Sequence, residues 1–152
     1  MKVVDLIRED LILPDVRARR SRDVIRELGS FLAERHRGVG EKEAIRALAE
    51  RERLGSTAVG EGLAIPHAKL DSVRGLVACL GRSQRGIDFG SPDDEPTHFF
   101  FVLIAPEGAP GDHLKALARI SRLFRNAAFR ARLMAAETAR EMHELIAAED
   151  GR

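Results

Sequence analysis

LGSTAVGEGLAIPHAKL, residues 54–70, is the stretch on which the fold and chemistry of this chain turn. Gly55, Gly60 and Gly62 share it with Ser56 and Thr57, and Ile65-Pro66 leads straight into His67. Small turn-forming residues followed by a stiff dipeptide read as a glycine-rich turn between helix and strand, with short extended pieces around 57–59 and 63–65. Pro66 fixes its own φ and drives Ile65 toward extended backbone, so the chain enters His67 with little freedom. Glycines at 60 and 62 permit close packing and leave amides available to bond an anion or a ring nitrogen. The stretch is read as a rigid loop that aims one imidazole. Held so, a neutral imidazole attacks with one nitrogen while the other gives its proton to a fixed acceptor.

The same residues begin like a nucleotide-phosphate loop, with Gly55 and Gly60 at the spacing G-x-x-x-x-G. Lysine and serine or threonine should follow, and Glu61 and Gly62 stand there instead. A triphosphate would meet a carboxylate where it needs a cation, so the NTPase reading fails.

Upstream, Val24, Ile25, Leu28, Phe31 and Leu32 form one apolar stripe at helical spacing, with Ser21 as its N-cap. Gly38-Val39-Gly40 closes that helix, and a second carries Ala44, Ile45, Leu48 and Ala49 and ends before Gly55. Residues 1–20 read as an extended or short-helical lead-in, stopped at Pro14. Downstream, LVACL (76–80) and FFFVLIA (99–105) are apolar runs of strand length, expected to be buried on both faces. IDF (87–89) is read as a further short strand, and SPDDEP (91–96) as a turn. Asp112 is expected to cap a helix with Leu114, Leu117, Ala118, Ser121 and Phe124 on one side. Asn126 interrupts it, a shorter piece carries Phe129, Leu133 and Met134, and Thr138-Ala-Arg-Glu141 is a capping box opening a last helix. Helices, then strands, then helices predict an α/β fold: a single domain over 1–152, with a small mixed β-sheet flanked by helices on both sides.

Composition narrows the function. Lys and Arg number 25 against 24 Asp and Glu, a formal net charge of +1, which builds no long-range field for nucleic acid or an anionic membrane. The run Arg17, Arg19, Arg20, Arg22 is read as a solvated helix lead-in, since Tyr and Trp are absent and acids lie close by. One cysteine, Cys79, allows no internal disulfide and points to a reducing compartment. No apolar run approaches a membrane span, and the charged N-terminus lacks the core of a signal peptide, so a cytoplasmic protein is expected. The five histidines (36, 67, 98, 113, 143) and Cys79 show no zinc-ligand spacing, no G-x-S-x-G elbow exists, and neither metal nor cofactor is expected. If the electrophile at His67 is a phosphoryl group, positioning and charge stabilisation are the protein's whole task. Arg51, at the end of the second helix, and His113, in the first turn of a later one, are the candidate cations.

Taken together, R-E-x-L-G-S-T-A-V-G-E-G-L-A-I-P-H (51–67) and D-H-L (112–114) resemble the enzyme IIA domains of the bacterial sugar phosphotransferase system. The likeness is to the fructose/mannitol type and its nitrogen-regulatory relatives, and it covers nearly the whole chain. It implies a phosphotransferase: His67 as the phosphorylated histidine, charged by the small histidine phosphocarrier protein, Arg51 as the arginine steadying the phosphate, and His113 as the second active-site histidine. Ser56 and Thr57 match the family's Ser-Thr pair, in loop shaping or phosphate bonding, and Ala68 replaces a frequent glycine. The resemblance also points to Nε2 of His67. As a stand-alone chain it fits the regulatory branch, in which phosphorylation state sets binding to target proteins. A fructose-type uptake component passing phosphate to a IIB domain is the alternative, and a non-catalytic interaction module with an idle histidine is the alternative from another class.

Overall fold

The stripe from Val24 to Leu32 forms helix α1 (Ser21–Arg35), and α2 (Glu41–Arg53) follows after the short glycine-bearing connection. The computed structural model describes residues 1–108 and 110–150. Arg20, not Ser21, is the N-cap of α1; Ser21 is already helical, and no side chain caps that end. The two helices meet at Gly29, where an added Cβ would stand 2.7 Å from Ile45 Cγ1. Glycine is kept here for closeness of approach.

Six strands make one mixed sheet: β1 (Ile12–Leu13), β2 (Ala58–Gly60), β3 (Leu63–Ala64), β4 (His67–Lys69), β5 (Val77–Ile87) and β6 (Thr97–Ala105). Their order is β1-β5-β6-β3-β2, with β4 also on β6. The aromatic run 99–105 is the central strand β6, buried on both faces as its composition requires. It lies antiparallel to β5 and parallel to β3 and β4. IDF (87–89) is not a separate strand. β5 runs on from the apolar segment through Gly81–Gly86 to Ile87, which pairs with Thr97. The polar residues hide this continuity because Arg82 is buried by bonding rather than by apolarity. Its guanidinium donates to the carbonyls of Pro14 (3.0 Å), Leu133 (2.7 Å) and Ala136 (2.5 Å).

Successive strand residues face opposite sides of a sheet. The Cys79 thiol lies 3.9 Å from the Leu28 carbonyl on α1, whereas Arg82 reaches the end of α4 (Ala127–Ala135). Phe99 and Phe101 pack on Phe124, just after α3 (Pro110–Leu123). Helices therefore cover both faces. Helix α5 (Ala139–Asp150) completes the fold, and Thr138 Oγ1 accepts from the Glu141 amide at 3.1 Å, one half of the expected capping box. The Glu141 carboxylate bonds the amide of Glu137 instead of Thr138. Asn126 caps α4 by accepting from the Phe129 amide.

The stripe expected on α3 is rotated. Its buried face is His113, Ala116, Ile120 and Leu123, and Leu114 is 67% exposed. Asp112 lies within the first turn rather than capping it. A histidine occupying the buried face displaces the apolar stripe that spacing alone assigns.

Candidate functional site

The imidazole of His67 is presented by a strand, not by a loop. β3 and β4 share one edge of β6, with Leu63 opposite Phe99 and His67 opposite Leu103. Between them Ile65-Pro66 interrupts the ladder: proline has no N–H to give, but its carbonyl still accepts from the Leu103 amide at 2.9 Å. His67 therefore begins a new strand in a fixed register. Period-two alternation then puts Lys69 on the same face, with Ala68 buried on the other. Ala68 has no positive φ, so its methyl group costs the loop nothing.

The Ser-Thr pair shapes this stretch. The Thr57 amide and hydroxyl each donate to a carboxylate oxygen of Glu52, both at 2.7 Å, and the Thr57 carbonyl accepts from the Ile65 amide at 3.0 Å. The Ser56 hydroxyl donates to the Phe89 carbonyl and accepts from the Ala58 amide. Gly60-Glu61-Gly62 makes the turn between β2 and β3 with all three residues at positive φ. Glu61 is no phosphate ligand: its carboxylate pairs with Arg130 at 3.1 Å and its amide donates to Asp93.

His67 Nδ1 lies 2.6 Å from the Ile65 carbonyl oxygen. A carbonyl only accepts, so Nδ1 carries the proton and Nε2 the lone pair. The His113 ring stands edge-on to it, 5.2 Å between centroids and 81° between planes. Arg51, on the last turn of α2, donates to the Gly55 carbonyl at 2.9 Å and lines the same open cavity of about 610 Å³. Arg51, His67 and His113, far apart in sequence, meet there together with Lys69.

Burial pushes His67 below the ordinary histidine range, and the Arg51 guanidinium adds to it against the opposing pulls of the Ile65 carbonyl and Glu52. His113 is lowered by burial first, then by His67 and Lys69. It is 8% exposed, and its Nδ1 is sealed from solvent with no hydrogen-bond partner among the described residues. Protonating that nitrogen would bury a charged donor without an acceptor. Burial and the unpartnered Nδ1 thus disfavour the cationic form expected of His113 from its place on a helix, and Arg51 and Lys69 are the other basic side chains at the cavity.

Three features of the site escape sequence reasoning. Lys69 needed the strand assignment of His67 to be placed beside it. Glu52 gave no local signal, because its partner is the backbone of Thr57. Leu114 (67% exposed), expected on the apolar stripe of its helix, and Leu54 (80% exposed) flank the cavity as an apolar rim.

The chain matches the family model described as phosphoenolpyruvate-dependent sugar phosphotransferase system, EIIA 2, over residues 5–149. It is 40% identical over 147 residues to the nitrogen regulatory protein of Bradyrhizobium diazoefficiens, covering 97% of this chain and 95% of that one. It is 34% identical to the fructose-specific EIIABC component of Bacillus subtilis, over 99% of this chain but 24% of that longer protein. The crystal structure of the nitrogen regulatory protein IIA-Ntr from Neisseria meningitidis superimposes with a TM-score of 0.87 at 28% identity, covering 95% of this chain and 98% of that one.

Proposed function

The chain belongs to the EIIA type 2 family of the phosphoenolpyruvate-dependent sugar phosphotransferase system, and from that premise we propose that Nε2 of His67 is the atom that receives and passes on its phosphoryl group. The observation that carries the proposal is the 2.6 Å contact between His67 Nδ1 and the Ile65 carbonyl, which leaves Nε2 as the nucleophilic nitrogen beside Arg51 and His113. The donor is a phosphohistidine on a small phosphocarrier protein. As the lone pair of Nε2 closes on phosphorus, the donor N–P bond breaks and its electron pair returns to the donor imidazole. The migrating unit is PO₃⁻, and His67 keeps its Nδ1 proton on Ile65 throughout. Arg51 and Lys69 supply cations to the transferred group, and His113 donates a neutral N–H from Nε2. Pre-set donors of this kind stabilise charge without reorganising at the moment of transfer.

Donor and acceptor are proteins, so the site must be open, and the apolar rim of Leu54 and Leu114 is the surface on which they dock. Replacing Leu114 with Glu is expected to raise the KM for the phosphocarrier about tenfold or more while His67 remains chemically competent. An unchanged KM would remove that rim from the interface.

The 40% identity with a nitrogen regulatory protein along nearly the full length supports a regulatory role in the cytoplasm, in which phosphorylation state selects protein targets. The match to a fructose-specific component supports a second reading, delivery of the group to a IIB domain. Mixing the phosphorylated protein with a fructose-type IIB domain separates them. Loss of label from His67 to the IIB domain within seconds would establish uptake. Retention of label, with target binding that differs between the two states, would establish regulation.

A further inference from the structure

The arginine run that the phosphoryl site leaves unused lies at the other end of the sheet. Arg17 and Arg19 line a groove of about 280 Å³ together with Ser83, Gln84 and Arg85 of β5. The segment is extended and anchored from behind: the Val16 amide donates to the Arg82 carbonyl at 2.8 Å, and the amides of Arg17 and Ala18 donate to the Glu27 carboxylate. Val16 and Ala18 pack on the core while Arg17 and Arg19 are exposed, the alternation of a strand. Their guanidinium groups thus leave the same face, roughly 7 Å apart along the chain. Among the described residues, neither Arg17, Arg19 nor Arg85 forms an ion pair or donates a side-chain hydrogen bond, although seven other arginines do pair with acids. One carboxylate, Asp15, also lines the groove.

We infer that this groove is a second protein-docking surface, and that it takes an extended acidic segment with carboxylates at alternate positions. Alternate side chains of a partner strand repeat at the spacing of Arg17 and Arg19, so successive carboxylates meet successive guanidinium groups. Asp15 decides between polyanions. A nucleic-acid strand would bring phosphates against it, whereas a peptide brings N–H and hydroxyl donors between its acids. The surface is also remote from the imidazole. His67 pairs with Leu103, Leu103 pairs with Ala78, and Arg85 lies seven residues further along β5, roughly 20 Å at the rise of a strand. A partner seated here leaves His67 accessible, so this surface binds equally in both phosphorylation states, and its existence does not depend on which atom carries phosphate.

Fluorescence anisotropy with a short labelled peptide of alternating Glu and Thr tests the inference. The peptide should bind more tightly than one of the same composition with its Glu residues in a single block, and more tightly than a labelled single-stranded oligonucleotide. Arg17→Glu with Arg19→Glu should weaken it about tenfold or more. The milder pair Arg17→Gln and Arg19→Gln should weaken it in the same direction with an unchanged melting temperature. Arg46→Glu, an exposed arginine on α2 outside the groove, should leave it unchanged. Equal binding of the two peptides, tighter binding of the oligonucleotide, an equal effect of Arg46→Glu or no binding at all would overturn the proposal. Loss of peptide on phosphorylation would overturn the separateness of the two surfaces.

Discussion

A single hydrogen bond, from His67 Nδ1 to the Ile65 carbonyl, sets the chemistry at the scale of the residue. It selects the tautomer, while burial and Arg51 disfavour the protonated ring. With a pKa below the usual 6.5 or so of histidine, Nε2 stays unprotonated as the solution is acidified. The fall in the rate of phosphoryl acceptance on acidification should therefore be centred below pH 6.5. Rapid-quench rates with a saturating phosphocarrier check this, and a decline already centred at or above pH 6.5 would contradict it. Arg51 is the cation whose charge acts on the His67 imidazole, and Arg51→Ala should slow acceptance by about 10²- to 10³-fold, as losing one pre-set charge-stabilising donor does. If His113 serves as a neutral donor, as proposed, His113→Gln, which keeps an N–H, should retain far more rate than His113→Ala. Equal rates for the two would show that the ring works by something other than donating.

At the scale of the element, the site rests on a strand broken in two. β3 and β4 hold the same edge of β6 on either side of Ile65-Pro66, and Glu52 ties the end of α2 to Thr57 at the start of that stretch. Glu52→Ala leaves the Thr57 amide and hydroxyl without their acceptor, a loss of about 1–3 kcal/mol if they stay buried. Chemical denaturation should register that loss together with a lower phosphorylation rate. The helix pair is equally specific: Gly29→Ala puts a methyl group 2.7 Å from Ile45 Cγ1, and such overpacking costs about 1–3 kcal/mol. An unchanged denaturation midpoint would mean that Ile45 gives way freely. Much of this was legible in the sequence. The α1 stripe, the end of α2, the aromatic strand and the Asn126 break all rest on local spacing, and local spacing is what a sequence displays. The failures share a cause. β5 passes through Arg82, whose burial depends on carbonyls of Pro14, Leu133 and Ala136, and α3 buries His113 in place of Leu114. Each depends on partners distant in the chain. His67 itself read as a loop residue because glycines and a proline surround it, while its pairing with Leu103 lies thirty-six residues away.

At the scale of the whole molecule, function and stability meet in two depressed histidines. His67 and His113 both bind protons more weakly when folded than when unfolded. Stability is therefore full above the unfolded value of about 6.5 and is lost as pH falls from there toward the lowered folded values. Thermal melts between pH 7.5 and 5 should fall less steeply for a His67→Gln, His113→Gln double variant than for the parent chain, and identical slopes would contradict the assignment. Helix α5 is tied to the N-terminal segment by Asp150, whose side chain is 4% exposed, accepts from the Val4 amide at 2.8 Å and lies 3.8 Å from Arg119. The sheet sets the His67 cavity and the arginine groove at opposite ends, so the two proposed surfaces are expected to differ in their response to phosphorylation. All of this depends on phosphorus residing on one nitrogen. The direct measurement is to charge the protein with phosphoenolpyruvate, enzyme I and phosphocarrier, then locate the label by peptide mapping and nitrogen-detected NMR. A single acid-labile, alkali-stable phosphoryl group on Nε2 of His67, absent from His67→Gln, is the predicted result; label on Nδ1, on another residue, or surviving in His67→Gln would contradict the account.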